Sequence, residues 1–178
     1  MKEEIIIAGF GGQGVLSMGK ILAYSGLMDD KEVTWMPAYG PEQRGGTANV
    51  TVILSDEKIS SPVLDQYDIV VALNQQSLDK FGPKVKKGGT LLYDTNGIHN
   101  HPKRDDIRIC PVDAMGATLE IGNSKAYNMV VMGALLQTMK YKLPMENVVK
   151  GLKKSLPERH HHLIPLNEEA IRKGESLI

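Results

Sequence analysis

Ile5-Ile6-Ile7-Ala8-Gly9-Phe10-Gly11-Gly12-Gln13-Gly14 is the stretch that decides the fold. A short β-branched run reads as a buried strand, and the glycines after it read as a tight turn. The apolar segment from Val15 to Met28 continues as a helix, so the turn joins a strand to a helix. Glycines at such a turn leave the backbone bare, and the free amides and helix dipole favour anionic groups there.

The same alternation of strand and helix runs through the chain. Strands are expected at Glu4 to Gly9, Glu32 to Met36, Asn49 to Leu54, Asp68 to Leu73, Thr90 to Asp94 and Ile107 to Cys110. Helices are expected at Gln13 to Met28, Gln75 to Phe81, Val112 to Leu119, Lys125 to Met139, Met145 to Ser155 and Leu166 to Gly174. Pro144 suits the start of its helix and Gly174 the end of the last one. The fold class this implies is α/β, a three-layer α/β/α sandwich with a mostly parallel, possibly mixed sheet, in one domain over residues 1–178. Alternation of Val50 and Val52 with Asn49 and Thr51 marks the third strand as half-exposed, antiparallel or at an edge. The polar stretch Asn96 to Asp106 is a candidate hinge.

Composition narrows the function. Lys plus Arg equals Asp plus Glu, 21 against 21, so no overall field draws in nucleic acid or an anionic membrane. The lone cysteine, Cys110, excludes an intrachain disulfide and cannot by itself hold an iron-sulfur cluster. With no signal segment and no apolar run near membrane-spanning length, the expectation is a soluble, cytoplasmic chain.

A second loop carries chemistry: Tyr39-Gly40-Pro41-Glu42-Gln43-Arg44-Gly45-Gly46. Two opposite charges and an amide lie between turn-forming residues, and Arg44 can fork onto a carboxylate or phosphate or pair with Glu42. In an α/β sheet both loops should leave the carboxyl ends of neighbouring strands. Read alone, Gly9-x-Gly11-x-x-Gly14 also fits a dinucleotide-binding turn, which would make an independent NAD or FAD enzyme; the acid expected at the end of the second strand is missing. A ligand-free structural turn, or an interaction module, stays open at this point. His99, His101, His160, His161 and His162 assign no metal site, because neighbouring residues on one element diverge and at most two of the triplet can converge.

The glycine turn, the following Gly19-Lys20-Ile21-Leu22-Ala23 and the Tyr39–Gly46 loop together resemble the gamma subunit of 2-oxoacid:ferredoxin oxidoreductases, in the pyruvate/ketoisovalerate oxidoreductase catalytic domain family. The resemblance covers essentially the whole chain and is nearest the 2-oxoglutarate and 2-oxoisovalerate branch. It implies an oxidoreductase (EC 1.2.7.-) converting a 2-oxoacid and coenzyme A to acyl-CoA, with electrons passing to ferredoxin. Its implied partners are alpha, beta and delta subunits, the last ferredoxin-like. Thiamine diphosphate, Mg and iron-sulfur clusters would belong to the complex and none to this chain, which alone would be inactive or self-associate as a homodimer. Gly11, Gly12, Gln13 and Gly14, with Tyr39, Gly40, Pro41, Glu42, Gln43, Arg44, Gly45 and Gly46, are the expected contacts with coenzyme A or the active-site entrance. No catalytic residue is assigned.

Overall fold

Isoleucines at three successive positions of a strand point to both of its faces in turn, so β1 (Lys2–Phe10) needs a core above and below it. The computed structural model describes residues 1–39 and 47–178, with the backbone alone at Tyr39. After β1 come α1 (Val15–Met28), β2 (Glu32–Tyr39), β3 (Thr47–Ser55), β4 (Tyr67–Ala72), α2 (Gln75–Phe81), β5 (Val85–Asp94) and β6 (Arg108–Val112). The chain then runs through α3 (Ala114–Ile121), α4 (Tyr127–Thr138), α5 (Met145–Ser155) and α6 (Ile164–Glu175). The strands form one sheet in the order β2-β3-β1-β4-β5-β6. β1, β4, β5 and β6 are parallel, while β3 runs antiparallel to both β1 and β2.

The sheet is mixed, and its two sides are covered unequally. Ile5, Ile7, Val50, Val52, Val71 and Leu92 pack beneath α1, α3, α4, α5 and α6. On the other side Ile6, Ala8, Val70, Leu91 and Tyr93 meet α2 through Leu78 and Phe81, with Ile98 from the β5–β6 connection. Among the described residues five α-helices thus lie on one face, and one short α-helix with irregular chain lies on the other.

The third strand is antiparallel as expected, but it is neither half-exposed nor at the edge. Val50, Val52, Ile53 and Leu54 are fully buried, as is most of Thr51; Val50, Val52 and Leu54 lie in the core beneath the helices, and β2 pairs outside β3 and takes the edge position. Polar residues in a strand imitate an exposed face when tertiary packing has covered both. The Asn96–Asp106 stretch, the candidate hinge, is tied to the rest of the fold by side-chain hydrogen bonds. Arg104 pairs in a fork with Asp106 at 2.9 and 2.6 Å and donates to the carbonyls of Gly82 and Val85. Gln75 Oε1 accepts the amides of His99 and Asn100 at 2.8 and 2.9 Å.

Glycine controls the helix crossings. α4 is buried almost all round, from Met129 to Leu136, between the sheet and α6. At Gly133 an added Cβ would fall on the Ile171 carbonyl, and at Gly174 on that of Val130, so the two backbones touch. Gly174 therefore serves packing inside the last turn of α6; the helix runs one residue further and its cap is Ser176. α1 begins two residues later than the apolar pattern suggests, because Gly14 is left-handed and Gln13 is consumed in the turn.

Candidate functional site at the carboxyl edge of the sheet

Phe10, the last residue of β1, pairs with Thr47, the first of β3, and Tyr39 at the end of β2 pairs with Ala48. The Gly11–Gly14 turn and both ends of the connection between β2 and β3 therefore share one edge of the sheet. Gly40, Pro41, Glu42, Gln43, Arg44, Gly45 and Gly46, with the Tyr39 side chain, lie outside the described residues. The two loops do not leave neighbouring strands, since β3 stands between β1 and β2.

The turn is held by its own glutamine. Gln13 Oε1 accepts the Phe10 amide at 2.7 Å, and Gln13 Nε2 donates to the Leu73 carbonyl at 3.2 Å, bridging the ends of β1 and β4. Gly12 and Gly14 have φ of 92 and 75°, which side chains with a Cβ adopt at a cost. A Cβ at Gly14 would also strike the Asn128 side chain, so the bare residue lets the start of α4 close onto the turn. Among the described residues α1 has no side-chain cap, and an uncapped helix start favours an anionic ligand or partner group.

Four further residues line this edge and were not singled out from the sequence. Asn74 follows β4, caps α2 by accepting the Ser77 amide at 2.8 Å, and keeps a buried Nδ2 without a partner among the described residues. Asp94, buried at the end of β5, accepts the Tyr127 hydroxyl at 2.7 Å and the Asn96 amide at 3.2 Å. Burial and the neighbouring Asp94 carboxylate push the Tyr127 phenol far above its ordinary range, so it stays a donor. Asn128, the next residue of α4, abuts Gly14. The only signals were an Asn three residues before a Ser and an acid closing a buried strand.

Phe10, Gln13, Asn74, Gln75 and Gly97 border a cleft of about 340 Å³ beside the turn. It is open, brings the amide side chains of Gln13, Asn74 and Gln75 beside a mostly apolar lining, and shows no nucleophile–base pair among the described residues, so it suits binding better than bond-making.

The remaining candidates fall to structural roles. His161 Nε2 lies 3.0 and 2.9 Å from the Lys153 and Leu156 carbonyls and closes the end of α5. His160 accepts from Arg159 at 3.3 Å, and His101 bonds Tyr93. Among the described residues no three His, Cys, Asp or Glu side chains converge as a metal would require. Burial pushes the Cys110 thiol up, away from nucleophilic reactivity. No described helix is long and apolar enough to cross a membrane.

The dinucleotide alternative fails on topology. In a nucleotide-binding βαβ unit the strand after the first helix lies beside the first strand, within reach of the ribose. Here the β3 antiparallel strand separates them, so the end of β2 is two strands from the turn.

A mixed sheet with an inserted antiparallel strand, and a bare turn stitched by glutamine, define a domain of the α/β class. Residues 4–177 match the pyruvate ferredoxin/flavodoxin oxidoreductase family, and the chain belongs to it. The ketoisovalerate oxidoreductase subunit VorA of Methanothermobacter marburgensis is 45% identical over 133 residues, which is 75% of this chain and 28% of that protein. The chain thus spans under a third of that relative. The keto/oxoacid ferredoxin oxidoreductase gamma subunit of Geobacter sulfurreducens superposes with a TM-score of 0.81 at 29% identity, covering 98% of this chain and 97% of that one. The 2-oxoglutarate:ferredoxin oxidoreductase of Magnetococcus marinus, solved with 2-oxoglutarate, coenzyme A and succinyl-CoA bound, gives 0.87 at 25% identity over 99% of this chain and 31% of that one.

Proposed function

We propose that the chain is the gamma subunit of a cytoplasmic 2-oxoacid:ferredoxin oxidoreductase. The complex converts a 2-oxoacid and coenzyme A to acyl-CoA, carbon dioxide and a proton, and passes two electrons to ferredoxin. The observation that carries this reading is one of extent. The chain corresponds end to end to a protein solved as a separate gamma subunit, and to under a third of an enzyme solved with coenzyme A and its product. 2-Oxoglutarate and 2-oxoisovalerate are the substrates to test first, given the relatives' names.

Donor chemistry assigns the cofactors elsewhere. One buried cysteine cannot ligate a cluster, and the chain has no Gly-Asp-Gly followed by an Asn pair to hold Mg and a diphosphate. Thiamine diphosphate, Mg and iron-sulfur clusters then reside on alpha, beta and ferredoxin-like delta subunits. This chain supplies the bare backbone of the Gly11–Gly14 turn and, from the Tyr39–Gly46 segment, the guanidinium of Arg44. Both suit a polyphosphorylated thiol at the entrance to the active site.

Co-expression with alpha, beta and delta chains tests the assignment. Ferredoxin reduction should need 2-oxoacid, coenzyme A and this chain together, and omitting it should abolish turnover. In the assembled enzyme Arg44→Ala should raise the KM for coenzyme A several-fold with kcat little changed; unchanged kinetics in an intact complex would remove that role from Arg44.

A further inference from the structure

Where the ends of α1, α4, α5 and α6 converge on the helical side lies a second, open cavity of about 450 Å³. Lys20 comes from α1, Lys125 from the short turn before α4, Asn128 from the start of α4, His160 from the turn after α5, and Asn167 from α6. Ile21, Leu152 and Leu163 form an apolar wall. Acids and bases are equally numerous in this chain, yet none of the fifteen lining residues is an acid. Neither Lys20 nor Lys125 joins an ion pair among the described residues. The two ammonium groups therefore border this space with no acidic residue in its lining to balance them, an arrangement that suits an anion.

We propose that this cavity binds a phosphate-bearing small molecule with an apolar or aromatic body, of the nucleotide type. Two lysines, an imidazole and side-chain amides offer more donors than a carboxylate's two oxygens can use, whereas a phosphate or diphosphate can accept them all. The volume lies in the range of small-molecule sites and exceeds what an inorganic anion fills, and the leucine and isoleucine wall offers the remainder to a flat apolar group. Asn128 links the cavity to the Gly11–Gly14 turn, because the same side chain abuts Gly14. The cavity is built from this chain alone, so its ligand binding stands whether or not the subunit assignment does.

ADP titrated into the full chain by calorimetry at low salt is the test, with adenosine and inorganic phosphate as separate arms. Saturable ADP binding is expected, at least tenfold tighter than either fragment and weakening as salt is added. The double variant Lys20→Met, Lys125→Met keeps the aliphatic stems and should weaken ADP at least tenfold, with melting within a degree or two of the parent. Amide resonances of Ser17, Asn128 and Asn167 should shift in the parent only. Absent saturation at millimolar ADP, binding indifferent to the double substitution, or phosphate alone binding as well as ADP would each overturn the proposal.

Discussion

Gln13 joins two strands through one side chain, and its removal should show in stability before any assay of function. Gln13→Ala deletes the bond from the Phe10 amide at 2.7 Å and the bond to the Leu73 carbonyl at 3.2 Å. Both backbone groups are partly buried. Each lost bond is worth about 1 kcal/mol net, and stranding its partner away from water adds to that. About 2–3 kcal/mol in all is expected, which for a domain of this size lowers Tm by about 4–12 °C. Gln13→Glu separates the two halves of the effect. At neutral pH its carboxylate still accepts from Phe10 but opposes the Leu73 carbonyl, so stability should fall as far as in the alanine variant. Below about pH 4 the protonated acid can donate again, and the deficit relative to the parent should shrink. Urea and thermal melts at pH 7 and pH 4 read both. An alanine variant melting within a degree of the parent would refute the idea that this glutamine holds the turn.

Three further outcomes follow from the same geometry. Gly174→Ala drives a methyl into the Val130 carbonyl, and since backbone cannot rotate aside the loss should be about 3 kcal/mol or more, visible as poor soluble yield or a large drop in denaturation midpoint. Asp56 is pulled down to about 2, chiefly by its bond to Lys31, so its contribution is present above the ordinary carboxylate range and lost as pH falls through 2; Asp56→Asn should flatten stability between pH 4 and 2, and an unchanged acid limb would count against the pair. Glu3 is shifted the other way, up, mainly by burial, despite accepting the Lys140 and Tyr141 amides. Its protonated form favours the fold, a benefit lost as pH rises through its raised value, so Glu3→Gln should hold stability flatter from pH 4 to 7, as denaturant titrations would reveal.

Much of the architecture was legible from residue pattern alone. The isoleucine run, the glycine turn and the Val15–Met28 segment announce strand, turn and helix by period and by absent Cβ atoms, and Gln75–Phe81 and Met145–Ser155 emerge with the expected bounds. β3 misled, because Asn49 and Thr51 alternate with valines as they would on a wet face at an edge, whereas in the fold Thr51 and Ile53 are buried and β2 pairs outside them. Pairing order is a long-range property that no local window carries. At the site, Gly11–Gly14 could be read because glycine spacing is local. Asp94 and Tyr127 stand thirty-three positions apart, and their bond depends on the end of β5 and the start of α4 meeting at the same edge. The internal use of Gln13 was likewise hidden, since the Leu73 carbonyl is sixty positions away.

β1 sends Ile5 and Ile7 into one core and Ile6 into the other, yet its sheet partners are β3 and β4, which are synthesised after it. A ribosome must extend the chain to about Ala72 before the second of those partners exists, and a further stretch of tunnel must clear. Throughout that interval three β-branched residues stand without a neighbour on either side, the kind of uncharged strand that nascent chains aggregate through. Lys2, Glu3 and Glu4 stand directly before the run as charged gatekeepers. Chaperone demand during translation should accordingly rise if those three charges are neutralised, even where the finished protein is no less stable.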